Sequence, residues 1–296
     1  MDTVSSRHSF RASRASGRPA RLGRLAGRPD VQGWASAKLI AVLAALPLLL
    51  YLFLPILGVV VRAVLGNWCS YVVCPRVTNA LRISIMSATT SAIIVIIVGT
   101  PLAYLMSHYR FRGKDVVDTL IDLPLALPPV FAGLALLLLF GKQGVGRWLE
   151  PYHVRISLTY LAVLMAQVFV ASPFYVKQAR AGFEAVPIDL RRASATLGAG
   201  PLRTFWRITA PIARPAVLAG AVMAWARALG EFGACLMFAG AFPGRTETMP
   251  VAIYTTSTTN LPAAIALAAV LLIVSFGVLI LVRRLAGRGL AVSVTP

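Results

Sequence analysis

Arg227 and Glu231 are the residues whose type and spacing most clearly indicate chemistry in this sequence. They lie four positions apart in an apolar run, so on a helix their side chains share one face. A single charge at the centre of a bilayer costs about 2.5–3.5 kcal/mol or more, and such charges usually pair inside a bundle. Two interpretations stay open: the pair lies beside a solute path, or it is a neutralised pair that only holds helices together.

A second informative stretch runs from Pro187 to Pro215 and reads PIDLRRASATLGAGPLRTFWRITAPIARP. Its central Gly198-Ala199-Gly200-Pro201 should reverse the chain direction sharply, and the flanking residues predict two short amphipathic helices. Asp189 suits the first turn of the first helix. A basic, half-apolar helix–turn–helix is suited to docking onto a partner protein, and a hairpin on the membrane surface is the alternative.

Other chemistry has little support in the sequence. No nucleophile–base arrangement, carboxylate pair or metal-ligand spacing is present, so we predict no catalytic, cofactor or metal site. The stretch Gly141–Gly146 lacks the spacing of a phosphate-binding loop, so ATP hydrolysis would require a separate subunit. Cys69 and Cys74 share one short loop, where a disulfide and two unpaired thiols are both open.

The elements that carry these residues follow from composition. Hydrophobic residues make up 58% of the 296 positions and charged residues 13%, whereas soluble domains carry about 25% charged residues. Backbone amides in lipid must be satisfied within their own segment, so apolar runs of about 20 residues predict helices. We predict an all-α polytopic membrane protein with six transmembrane helices, near Leu39–Val61, Ile83–Met106, Leu120–Phe140, Leu158–Val176, Ala216–Ala239 and Leu261–Val282.

The basic residues orient these spans. The net charge is +19, yet 21 of the 29 Lys and Arg residues fall in the two tails and in the connections on one side. This distribution is typical of cytoplasmic loops and argues against nucleic-acid binding, and it places both termini in the cytoplasm. We therefore predict a disordered basic cytoplasmic tail over 1–38, a transmembrane domain over 39–284 with a cytoplasmic loop at 177–215, and a cytoplasmic tail over 285–296.

The 187–215 stretch resembles the cytoplasmic signature of the permease subunits of ABC importers, EAA---G---------I-LP. With its spacing preserved, the signature falls on Arg192, Ala193, Ser194, Gly198, Ile208, Ala210 and Pro211. Arg192 stands where the family has Glu, Ser194 where it has Ala, and Ala210 where it has Leu. The family's Glu contributes a charge at the ATPase contact, so Arg192 puts that polar contact in question, while the glycine turn and the hydrophobic face remain.

Further stretches look like the sulfate/molybdate branch of these permeases. The run Arg227–Ala234 carries the branch resemblance, together with Leu123–Val130. Leu236–Gly240, Pro243–Thr246 and Met249–Tyr254 look most like the molybdate members. The likeness extends from about Thr78 to Arg284, roughly two-thirds of the chain.

The resemblance implies a transport subunit, not an enzyme, in the bacterial inner membrane. A separate ABC ATPase would carry ATP and Mg, a second permease copy would pair with this one as a homodimer, and a periplasmic or lipid-anchored protein would deliver an oxyanion. Coupling to the ATPase would use Arg192, Ala193, Ser194, Gly198, Ile208 and Pro211. Molybdate is the favoured substrate, with sulfate, thiosulfate and tungstate as alternatives. An ATP-independent secondary transporter is less favoured, because it would leave the coupling spacing without a partner.

Overall fold

The computed structural model of the protein describes residues 31–66, 74–152 and 155–290. The predicted disordered tail lies outside these ranges as far as residue 30, and so do Cys69 and the tail from 291 onward. The disorder and the cysteine pairing therefore stay predictions.

Within the described ranges all regular secondary structure is helical, which confirms the all-α fold class. A 3₁₀ turn covers Glu150–Tyr152, and a π-helical segment covers Phe205–Thr209. The α-helices are α1 Val31–Leu65, α2 Pro75–His108, α3 Lys114–Ala126, α4 Pro129–Phe140, α5 Val145–Leu149, α6 Tyr160–Glu184, α7 Ile188–Thr196, α8 Pro201–Thr204, α9 Ala210–Leu229, α10 Gly233–Ala239, α11 Met249–Ser257 and α12 Leu261–Leu290.

Six helical segments in the described ranges are long and apolar enough to cross a membrane, as predicted. They are Ala41–Leu65, Pro75–His108, Pro129–Trp148, Tyr160–Glu184, Pro201–Leu229 and Leu261–Ile280.

The first helix, α1, begins at Val31, eight residues before the predicted first span, so part of the predicted tail is helical. The chain forms two compact units, the first ending at Pro55 and the second starting at Ile56. The part of α1 before this point is apolar from Ala41 onward, which suits a helix surrounded by lipid.

Helix α6 is central to the unit that starts at Ile56. It packs against α2, α9 and α10, and its Tyr175 and Phe183 are fully buried. Small residues allow close approach, since a Cβ on Gly182 would collide with the Cβ of Ala216 on α9. Such packing matters in a membrane because apolar burial alone gives helices no advantage over lipid tails.

Helix α6 is long enough to define two opposite ends of this unit. Its 25 residues rise about 37 Å, enough to cross the hydrocarbon core of a bilayer. Glu184 leads directly into the 187–215 stretch, and this end is termed the loop end. The end at Tyr160 is termed the far end.

The predicted third span, Leu120–Phe140, was wrong as a single helix. Helix α3 ends at Ala126, and Leu127 and Pro128 have extended backbone with ψ of 135° and 134° before α4 begins. Adjacent prolines account for the break, because proline lacks an N–H group and disfavours helical geometry in the residue before it. Ion pairs hold α3 to the loop end of α6: Asp118 to Arg180 at 2.8 Å and Asp122 to Lys177 at 2.7 Å.

Candidate coupling loop and buried ion pairs

The 187–215 stretch begins with α7 and a tight glycine turn. Gly198 has a φ of +77°, a left-handed conformation that glycine adopts without steric cost. The turn closes through Gly198 N–H to Ala195 O at 2.9 Å and Ala199 N–H to Ser194 O at 3.0 Å. The chain reversal expected from the glycine cluster is therefore present in the structure.

The second limb of the stretch differs from the expected separate short helix. Helix α8 passes through the π-helical segment and continues without a break into α9. The π segment stands just before Pro211, which has no N–H group, so the helical ladder must change register nearby. The second limb is thus the start of the fifth span, and only α7 is a free-standing short helix in this stretch.

The signature residues divide between the surface and the interior. Ser194 is buried, and its hydroxyl lies 2.9 Å from that of Thr204, which joins α7 to α8. Ile208, within the π segment, and Ala210, at the start of α9, are half-buried. The remaining signature residues are exposed: Arg192, Ala193, Gly198 and Pro211.

Arg192 faces solvent, and in the described part of the chain one carboxylate lies near it. Its guanidinium lies 3.9 Å from the carboxylate of Asp189, and both side chains are largely exposed. An exposed pair at this distance contributes little to stability. The positive charge that replaces the family's Glu is therefore free to meet another molecule.

Large apolar side chains surround this exposed surface. Leu197, beside the turn, is 87% exposed. Others on α7, α8 and the π segment share this exposure: Ile188, Leu190, Leu202 and Trp206. Several large exposed apolar side chains on neighbouring short segments, with polar residues among them, are typical of an interaction site. We term this set of residues, with Leu197, the loop face.

Arg227 and Glu231 form an ion pair at the end of α9. Arg227 Nη2 lies 2.7 Å from Glu231 Oε2, and only 1% of the Glu231 side chain is exposed. Glu231 Oε1 also accepts a hydrogen bond of 2.8 Å from the N–H of Ala234, near the start of α10. One carboxylate therefore neutralises the charge of Arg227 and also accepts a hydrogen bond from a backbone N–H group near the start of α10.

The predicted fifth span, Ala216–Ala239, was wrong as one continuous helix. Helix α9 ends at Leu229, and α10 begins only at Gly233. Gly230 ends α9 as its C-cap, and α10 packs closely against α4, where a Cβ on Gly133 would lie 2.7 Å from the Cα of Ala234. The ion pair therefore sits at a helix break and not within a helix.

A second buried carboxylate was missed by the sequence interpretation. Glu247 is 1% exposed, and Arg76 at the start of α2 binds it through Nη2 at 2.5 Å and Nε at 3.0 Å. Thr255 on α11 contacts both partners, at 2.9 Å from Arg76 Nη2 and 3.1 Å from Glu247 Oε1. The signal available in the sequence was weak: Glu247 is one of only ten acidic residues, and it stands between two threonines beside an apolar run.

A ladder of buried polar side chains joins α2 to α6. Gln167 donates to Ser87 at 3.1 Å and accepts from Ser91 at 3.0 Å. Ser84, one turn earlier on α2, accepts the N–H of Met249 at 2.7 Å. These side chains are fully buried within one chain, so the ladder is suited to holding helices together.

Metal binding finds no support in the described part of the chain. No group of three or more His, Cys, Asp or Glu side chains in those ranges is placed to hold a metal ion.

Residues 96–288 match the family described as binding-protein-dependent transport system inner membrane component. The chain belongs to this family. It is similar to the molybdenum transport system permease protein ModB of Mycobacterium tuberculosis, with 36% identity over 79% of this chain and 89% of that protein. It is also similar to the sulfate transport system permease protein CysT of Escherichia coli, with 32% identity over 81% of this chain and 88% of that protein. This permease is therefore a membrane transport subunit of the sulfate/molybdate branch of ABC importers.

The fold of this permease agrees with that assignment. A bacterial alginate ABC transporter, solved in complex with its alginate-bound periplasmic protein, matches 88% of this chain and 96% of its own, with a TM-score of 0.69. The sequences are 15% identical, so this likeness concerns the fold alone. Together with the six spans, it identifies a multi-pass membrane protein.

Proposed function

We propose that this permease is the membrane-spanning subunit of an ATP-driven importer for a tetrahedral oxyanion, with molybdate as its main substrate. Family membership and the names of relatives that transport molybdenum and sulfate support the substrate class. Sulfate, thiosulfate and tungstate are the alternatives within the same chemistry. Molybdate is favoured by the run from Leu236 to Tyr254.

The coupling role is proposed from one observation, the exposure of the loop face. Its exposed apolar side chains, with Arg192 and Ala193 beside them, offer a surface for a separate ABC ATPase. Ser194 and Gly198 shape the turn, while Ile208 and Pro211 connect it to α9. Movement of α7 would thereby be passed to α9, the helix that carries Arg227 in its last turn.

The assembly follows the family pattern. Two copies of this permease pair, two ATPases that hold ATP and Mg bind the loop faces, and a periplasmic or lipid-anchored protein supplies the oxyanion. The complex lies in the bacterial inner membrane with both termini in the cytoplasm, as the distribution of basic residues indicates.

The docking role is tested by charge substitution at Leu197. Leu197→Glu places a carboxylate in the loop face, and we expect it to reduce co-purification of the ATPase by about tenfold or more, since buried unpaired charge is costly. Leu65→Glu is the matched control, because Leu65 is 82% exposed at the end of α1. Equal ATPase recovery from both variants would contradict the docking role.

The substrate is tested in reconstituted vesicles that contain the permease, the ATPase and the binding protein. ATP-dependent uptake of labelled molybdate should exceed that of labelled sulfate and be reduced by excess tungstate. Higher sulfate uptake would make this a sulfate permease, and uptake that continues without ATP would favour a secondary transporter.

A further inference from the structure

A cavity of about 350 Å³ opens at the far end of the unit that starts at Ile56. Its walls come from the segment after α4, the residues that lead into α6 and the turn after α10. Three basic and two hydroxyl side chains line it: Lys142, Arg155, Arg245, Ser157 and Thr159. We term this cavity the basic pocket.

The electrostatics of the basic pocket are strongly one-sided. Among the lining residues whose side chains the structure describes, none is a carboxylate. Among the residues whose side chains the structure describes, Lys142, Arg155 and Arg245 form no ion pair. Thr159 is the N-cap of the 25-residue α6, so the positive end of that helix dipole adds to the field of the three cations. An anion would therefore be attracted from several directions at once.

The walls of the pocket are held by unusual backbone conformations. Leu158 has a φ of 61°, rare for a bulky residue, and its N–H donates to Phe238 O at 3.1 Å. Gly240 and Gly244 have a φ of 74° in the adjoining turn, where the Arg245 N–H donates to Phe242 O at 3.1 Å. Such conformations persist where the surrounding structure imposes them, and they concentrate at ligand-binding sites.

We propose that the basic pocket binds a tetrahedral oxyanion. Guanidinium groups bind such anions through paired N–H donors, an ammonium adds charge, and hydroxyl groups donate further hydrogen bonds. The site is separate from the loop face and from the Arg227–Glu231 pair.

Two kinds of ligand carry such an oxyanion group. One is a free dianion in solution, and the other is the phosphate group of an anionic lipid. Trp148 and Tyr152, on the segment between Lys142 and Arg155, are 80% and 76% exposed. Exposed aromatic residues of this kind are enriched where a protein meets the headgroup region, which places lipid phosphates within reach.

The test uses the full-length permease without ATPase or ATP, so its result is independent of ATP-driven import. The pocket variant combines Lys142→Gln, Arg155→Gln and Arg245→Gln. The control variant combines Arg62→Gln, Arg82→Gln and Arg147→Gln, which removes three exposed positive charges that do not line the cavity. Both variants therefore lose the same net charge.

Two binding measurements separate the sources. Titration with inorganic molybdate, sulfate and phosphate at low ionic strength reports a free anion. Native mass spectrometry after reconstitution in phosphatidylcholine, with or without phosphatidylglycerol, reports a retained anionic lipid. We expect the pocket variant to weaken binding in one of these measurements by about tenfold or more, since each exposed charge contact contributes a few-fold. The control variant should change it by less than about threefold.

Equal losses in both variants would overturn the proposal, because they would reflect net charge alone. Absence of binding to the unaltered permease in both measurements would overturn it too. If the triple variant fails to purify, Arg245→Gln and Arg245→Lys replace it. The lysine variant should then bind better than the glutamine variant, and equal binding by the two would contradict the proposal.

Discussion

Two glutamates in this permease are equally buried but held by different parts of the chain. Glu231 is paired with Arg227, four residues away, and also accepts a backbone N–H of α10. Glu247 is paired with Arg76, 171 residues away, through two hydrogen bonds from the guanidinium. The first pair connects neighbouring turns of the chain, and the second joins the start of α2 to the segment before α11.

The difference indicates distinct roles for the two pairs. A local pair forms wherever its own segment folds, so it adds little to the association of distant helices. A pair between distant segments exists only when those segments are already in place, and it stabilises their arrangement. We therefore expect Arg76–Glu247 to matter mainly for assembly, which leaves Arg227–Glu231 the better candidate for a role in the anion path.

The largest expected effect comes from removing one arginine. Arg76→Met removes two charge-assisted hydrogen bonds from the buried Glu247 and leaves the Thr255 hydroxyl as its donor among the described residues. Because the Arg76 side chain is itself 41% exposed, we expect a loss of about 3 kcal/mol. Arg227→Met removes a single charged contact and leaves the Ala234 N–H in place, so we expect about 2 kcal/mol. Thermal unfolding in detergent, followed by size-exclusion recovery, measures both. A larger loss for Arg227→Met would reverse the assignment of the assembly role.

The double variants sharpen the comparison through function. Arg76→Ala/Glu247→Ala and Arg227→Ala/Glu231→Ala each remove both charges, so both should recover folding relative to the single variants. We expect molybdate uptake per assembled complex to stay near the unaltered level for the first and to fall for the second. An anion that crosses an apolar bundle needs a compensating charge or dipole, and Arg227 is placed to provide one. Full uptake by the second variant would reduce Arg227–Glu231 to a structural pair.

Sequence reasoning found the spans because their signal is long and compositional. Apolar runs of about 20 residues identify a crossing segment whether or not its helix is continuous. The break at Pro128–Pro129 and the interruption between Leu229 and Gly233 leave that composition unchanged. The close approach of Gly133 to Ala234 beside the second interruption is set by the fold, and no local pattern reveals it.

The candidate site shows the same limit. The four-residue spacing was enough to predict that Arg227 and Glu231 pair, because residues four apart on a helix meet on one face. The glycine turn at Gly198 was also readable, since glycine has a local conformational reason to be there. Arg76 and Glu247 gave no such signal, because the fold alone brings together residues so far apart in sequence.

The smallest expected effect concerns the hydroxyl that connects Arg76 and Glu247. Thr255→Val keeps the shape of the side chain and removes hydrogen bonds to both partners, so it should cost about 1 kcal/mol. Thr258→Val is the matched control on the same segment, because the Thr258 hydroxyl is exposed and bonds only to a backbone carbonyl at 2.9 Å. Thermal unfolding should separate the two variants while molybdate uptake per assembled complex stays unchanged in both. If Thr255→Val instead lowered uptake without lowering stability, the Arg76–Glu247 pair would have a transport role, and the division of labour between the two buried glutamates would be wrong.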